Sequence, residues 1–261
     1  MDWITLYIIA TILILPTLIY GSIAQNKTLS TFDKFAKETT NANISGAELA
    51  RLLLDKAGAT DVDVVEINGR LTDCYDPINK VVKLSNATYT SVSVAALGVV
   101  AHEVGHAVQD HQNMFLFKLR SALIPICNFV SRAFIPMVLL GSILGVTLWI
   151  PSAGYIITWV GVGMYALSLI ISFATLGVEK DASNKALALI KQTGLFNESE
   201  IRDANTVLKA AITTYIASFT TSLLYFLRFL SYAMIFKHIS LASMVSNSLA
   251  LHGQMITLHS I

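Results

Sequence analysis

Three long runs without a charged side chain restrict this chain more than any other feature. No Asp, Glu, Lys or Arg occurs from Trp3 to Asn26, from Ala133 to Val178, or from Ala210 to Leu227, and the last run resumes past Arg228 to Phe236. About 20 consecutive apolar residues cross a bilayer as a helix, because lipid offers no partner for an open backbone N–H or C=O. The middle run is about twice that length. Pro151-Ser152-Ala153-Gly154 interrupts it, so it reads as two helices joined by a tight link. Four spans result, near residues 3–22, 133–150, 155–178 and 210–235.

Composition agrees. The chain of 261 residues is 54% hydrophobic and 13% charged, with a mean hydropathy of +0.61. A soluble domain carries about a quarter charged residues. The net charge of +1, with no basic stripe and interleaved aromatics, argues against nucleic acid as a partner. Cys74 and Cys127 are too few for a disulfide framework, and Cys127, near the second span, reads as a small apolar packing residue. Ser22-Ile23-Ala24 is compatible with signal peptidase, but no Lys or Arg precedes the apolar stretch, so the first span reads as a retained anchor.

Basic residues orient the spans. Lys27, Lys34 and Lys37 follow the first; Lys118, Arg120 and Arg132 precede the second; Lys180, Lys185 and Lys191 follow the third. The link between the second and third spans is uncharged. The expected organisation is an N-terminal transmembrane helix (1–24), a cytoplasmic α+β segment (25–132), a transmembrane hairpin (133–178), a cytoplasmic helical segment (179–209), a fourth transmembrane helix (210–236) and a tail (237–261). Both termini then lie outside. Arg228 reads as a side chain snorkelling to an interface. His238, His252 and His259 share no ligand spacing.

The segment between the first two spans has its own grammar. Ser45-Gly46-Ala47-Glu48 is a capping box, and Leu49, Leu52, Leu53 and Ala57 give the following helix an apolar face that Gly58 closes. Val62, Val64 and Ile67 mark one strand and Lys80–Leu84 another, with Arg70–Pro77 as a polar loop between them. A helix from Val94 through Gln109 follows. It carries His102-Glu103-Val104-Gly105-His106.

Two histidines four apart share one helix face and can offer two imidazole nitrogens to one zinc ion, with Glu103 beside them to act on a water at the metal. The plainer reading is a buried helix with hydrogen-bonded histidines, but Glu103 would then be an uncompensated buried charge. Gly105 lets another backbone approach, as a third ligand requires. That ligand must lie on the same side of the membrane. Glu179 is the first charged residue after the hairpin and is favoured by position. Asp181, on nearly the opposite helix face, competes with it. Tyr75 and Tyr89 are candidates to stabilise an oxyanion, and His111 is a conceivable fourth ligand.

Four ordered stretches carry a family resemblance: Gly69-Arg70-Leu71-Thr72-Asp73-Cys74-Tyr75-Asp76-Pro77, His102-Glu103-Val104-Gly105-His106-Ala107, Arg120-Ser121-Ala122-Leu123-Ile124-Pro125, and Val178-Glu179-Lys180-Asp181-Ala182-Ser183. The chain, from the first span to about Phe236, resembles the YugP-like membrane zinc metallopeptidases. The resemblance implies an α-helical multi-pass membrane protein with a small α+β gluzincin-like zinc metallopeptidase core. It implies one Zn²⁺ held by His102, His106 and Glu179, with Glu103 as the catalytic acid/base. Cys74 stands where the family pattern has His, Lys180 where it has an aromatic, and Ser183 where the wider gluzincin pattern has Asp. Asp181 and Asp73 are then the candidates to support a ligand from behind.

The expected activity is endopeptidase cleavage, with Glu103 activating a zinc-bound water at the cytoplasmic face of the cell membrane. The expected partners are a peptide or protein substrate, membrane proteins among them, and the bilayer. The alternative is a non-catalytic membrane protein with a structural or regulatory zinc site, which would need four protein ligands. A metal transporter fits poorly, since the second and third spans contain no ionisable residue.

Overall fold

The computed structural model describes residues 2–147 and 151–258, with backbone alone for Cys127, Ser131, Val146, Thr147, Pro151 and 239–258. The readings for the Cys127 side chain, His252 and His259 lie outside the described residues. The element order is α1 (Trp3–Phe35), α2 (Gly46–Lys56), β1 (Asp63–Ile67), β2 (Cys74–Asp76), β3 (Val81–Ser85), α3 (Asn86–Tyr89), α4 (Val94–His111), α5 (Phe115–Ser142), a π-helical turn (Ile143–Thr147), α6 (Pro151–Thr193) and α7 (Glu198–Leu258).

Four helices are long and apolar enough to cross a membrane: Trp3–Phe35, Phe115–Gly145, Ser152–Thr193 and Glu198–His238. They match the four expected spans but run further. Residues 121–132, ahead of the expected second span, form part of α5 despite Pro125 and Pro136 inside it. The helical segment expected at 179–209 is not separate from the spans: its two parts are continuous with α6 and α7. Helix α6 begins at Pro151, where a missing N–H costs nothing. Polar residues end a span without ending the helix, because the Lys, Glu, Ala and Leu residues that flank the apolar runs are themselves good helix formers in water.

The chain divides into two compact units. The first comprises Met1–Thr17, Ile124–Ile171 and Thr220–Ile261. Large apolar side chains face outward along it, including Ile12, Leu139, Ile156 and Ile170. Its internal contacts join small residues and rings. A Cβ added to Gly154 would lie 2.6 Å from Gly141 O, so α5 and α6 approach backbone to backbone. Phe134 packs on Tyr165 and Phe229, with ring centroids 4.6 and 4.8 Å away. Arg228 does not stand alone. Its guanidinium lies 5.4 Å from the Tyr7 ring centroid and donates to the Tyr7 hydroxyl at 3.4 Å.

The second unit, Leu18–Leu123 and Ser172–Phe219, holds the α+β elements. The capping box forms as its sequence predicts: Ser45 Oγ accepts from Glu48 N–H, and Glu48 accepts from Ser45 N–H at 2.8 Å. The sheet has three strands rather than two, in the order β1-β3-β2. Strands β1 and β3 run parallel, and β2 pairs antiparallel to β3 with Tyr75 opposite Val82. Strand β2 escapes a sequence reading because it has three residues and no apolar alternation.

Helix α4 is buried along almost its whole length. Leu53, Leu54, Leu84, Leu97, Val100, Val104 and Ile190 form one core around it, each contributing about 1.5–3 kcal/mol by burial. Gly105 is required there, since a Cβ would lie 2.5 Å from Ala182 O of α6. The close approach anticipated at Gly105 is therefore α6 crossing α4.

Candidate metal centre

That crossing sets the site. On α6, Val178, Glu179, Ala182, Ser183 and Ala186 are buried at helical spacing and face α4, while Asp181 is only half-buried. The Glu179 carboxylate, 1% exposed, lies with Oε2 3.0 Å from His102 Nε2 and 3.5 Å from His106 Nε2. One ligand atom from each of these three residues lies within 4.8 Å of the others. A tetrahedral zinc site with bonds near 2.1 Å separates its donors by about 3.4 Å, so the spacing and the His, His, carboxylate donor set both fit zinc. The structure brings His102, His106 and Glu179 together. His111 ends α4, exposed.

An imidazole that offers Nε2 to a metal must carry its proton on Nδ1, and that proton needs an acceptor. Both rings have one. His106 Nδ1 lies 2.9 Å from Gln109 Oε1, and His102 Nδ1 lies 3.2 Å from Ser183 Oγ. Gln109, fully buried, donates through Nε2 to Val178 O and to Asp181 Oδ2, both at 2.8 Å. Lys185 holds Asp181 in turn at 2.8 Å. Asp181 thus supports His106 through Gln109. Ser183 takes the supporting place on His102 itself. Asp73 has other partners. Its carboxylate accepts from Ser85 N–H at 2.7 Å, from Ser85 Oγ at 3.0 Å and from the Thr88 hydroxyl, which ties the β2 entry to the end of β3.

Glu103 is buried at 8% exposure beside the cluster. Burial pushes its carboxyl up to about 7, and the carboxylates of Glu179 and Asp73 push the same way against the opposing pull of His102. Its Oε2 accepts from the Tyr75 backbone N–H at 2.9 Å. The outer backbone edge of β2 therefore points at the site helix. The Tyr75 hydroxyl turns away and donates to Asp110 at 2.8 Å, so it is not free for substrate. Tyr89 packs against the core. Cys74 is exposed, and burial of part of its thiol with Glu103 nearby raises its pKa.

Sequence reading missed Gln109, Arg120 and Tyr215. Arg120 Nη2 lies 2.9 Å from Glu179 Oε1, so Glu179 is held on one oxygen while the other faces the imidazoles. Arg120 lies in one of the stretches that carry the resemblance, but nothing in the pattern says where it points. Tyr215 of α7 lines the same cavity as His102 and Glu103. It sits in an apolar run with no local signal. A cavity of about 220 Å³ opens beside His102, Glu103 and Tyr215.

A family model described as "Putative neutral zinc metallopeptidase" matches residues 10–234. The chain belongs to that family. It is also 37% identical over 206 residues to the "Putative membrane protease YugP" of Bacillus subtilis (strain 168), covering 79% of this chain and 88% of that protein. No solved structure matches the chain. The expected YugP-like resemblance is thus shown over most of the length. The likeness of the α+β core to gluzincins has no structural neighbour behind it.

Proposed function

We propose that this chain is a membrane-embedded endopeptidase with a gluzincin-like α+β core, using one zinc ion held by His102, His106 and Glu179. The convergence of those three donors beside the buried Glu103 carries the reading. When bound, zinc supplies Lewis acidity toward the scissile carbonyl and acidifies a water, with three protein ligands leaving a position open. Glu103 takes the proton of the attacking water and delivers it to the leaving amine. The Tyr75 N–H orients Glu103 by fixing one carboxylate oxygen. Tyr215 is the donor best placed to meet charge developing on the carbonyl oxygen, since it lines the cavity with His102 and Glu103.

The sided distribution of Lys27, Lys34, Lys37, Lys118, Arg120, Lys180 and Lys185 supports a site on the cytoplasmic side, with 1–24, 133–178 and 210–236 as the spans and 25–132 and 179–209 on that side. A peptide or a membrane protein reaching that face is the substrate. A structural zinc site would need a fourth protein ligand, and the cluster has three members among the described residues.

Purified protein should hold one zinc per chain by elemental analysis. Glu103→Gln should keep the metal and lose peptide hydrolysis. Hydrolysis by Glu103→Gln at the wild-type rate would overturn the assignment of the base.

A further inference from the structure

The cavity beside the metal cluster has a character of its own. Half of its lining residues are apolar: Phe32 from α1, Leu71 from the loop before β2, Val99 from α4, and Val207, Leu208 and Ala211 from α7. His102 and Glu103 form its reactive end. We infer that this cavity receives one uncharged, apolar side chain of the substrate, of Leu, Met or Phe size, next to the bond that is cut. The inference rests on the peptidase reading and adds the substrate class.

Volume supports it. A cavity of about 150 Å³ is enough to bind benzene, and this one measures about 220 Å³, room for a phenyl ring with its methylene. The polar groups of the lining support it as well. Thr28 Oγ1 is engaged, 3.0 Å from both Ala24 O and Ala210 O. The Asp73 carboxylate already accepts from Ser85 and Thr88. Gln25 is exposed. Tyr215, at the end shared with His102 and Glu103, is the donor assigned above to the substrate carbonyl oxygen. A substrate carboxylate entering here would meet Asp73 and Glu103 and no cationic side chain among the lining residues, and a buried unpaired charge is strongly disfavoured. An apolar side chain meets matching walls and loses only its hydration.

The test uses the zinc-loaded full chain in detergent micelles and a pool of peptides of mixed sequence, with cleavage sites read by mass spectrometry. Wild type should cut where Leu, Met or Phe occupies one fixed position beside the scissile bond. Ala211→Phe fills the cavity and should lower the ratio of kcat/KM for a Phe-bearing peptide over its Ala counterpart by about tenfold or more, the usual worth of a lost methylene-sized fit. Leu208→Ala enlarges it and should shift the preference toward larger residues. This second variant decides if Ala211→Phe does not fold, with zinc content as the check on folding. Unchanged preferences in variants that still hydrolyse peptides would overturn the inference while leaving the peptidase reading intact. So would a preference for Lys or Arg that disappears in Asp73→Asn. No hydrolysis by zinc-loaded wild type would overturn the peptidase reading and this inference together.

Discussion

The two units of the molecule hold themselves together by different means. In the unit that carries the metal centre, polar side chains are linked end to end: Lys185 to Asp181, Asp181 to Gln109, Gln109 to His106, and Arg120 to Glu179. In the other unit, contacts run through Gly141 and Gly154, the rings of Phe134, Tyr165 and Phe229, and a hydroxyl pair of Ser142 and Tyr232. In lipid, no hydrophobic effect draws apolar helices together, so close approach and ring packing must do it. In the α+β unit, burial of apolar surface drives collapse, and the buried polar groups must each find a partner. The first kind of unit tolerates exchange among its outward-facing apolar residues, but not a larger side chain where two helices meet at glycine. The second is intolerant wherever a polar group would be left without its partner.

Substitutions that remove one link in each unit sharpen the contrast. The largest effect is expected at Glu103→Gln, with a loss of at least about a hundredfold in kcat measured on any cleaved peptide, and zinc content unchanged. Next is Gln109→Leu, which is close in size but leaves His106 Nδ1, Val178 O and Asp181 without their partner. It should weaken zinc binding about 10–100-fold in a competition titration with a chromophoric chelator. Equal affinity would show that the chain of partners does not support His106. In the other unit, Gly154→Val should force α5 and α6 apart and cost about 1–3 kcal/mol, seen as a lower midpoint of thermal unfolding in detergent. Zinc affinity should be unaffected; a fall comparable to that of Gln109→Leu would end the separation drawn between the units. Smallest is Arg228→Met, which removes the contact with Tyr7 and should cost about 1 kcal/mol in the same melt.

Several features were legible in the residues alone. Charge-free runs mark four long helices because lipid demands continuous apolar surface. His102 and His106 share a face because four residues slightly exceed one turn. The Ser45 capping box is local chemistry and forms as written. Glu179, favoured over Asp181 by position, is the carboxylate that the structure places with the two histidines. Strand β2 was not legible, since its three residues owe their conformation to pairing with β3 rather than to any pattern of their own.

By itself the sequence determined the helical class, the number of long apolar helices and the residue types of a candidate zinc site, because these depend on hydropathy and on spacing within one helix. Only tertiary structure decided which side chains support that site. Gln109 and Ser183 behind the imidazoles, Arg120 on Glu179 and Tyr215 at the cavity come from four different helices, α4, α6, α5 and α7. Their contacts join residues up to about a hundred positions apart, and no local propensity encodes which of many Gln, Ser, Arg or Tyr side chains will face a buried carboxylate. The close approach at Gly105 is where the two levels meet: the glycine is visible in the sequence, and Ala182, which it admits, is visible only in the fold.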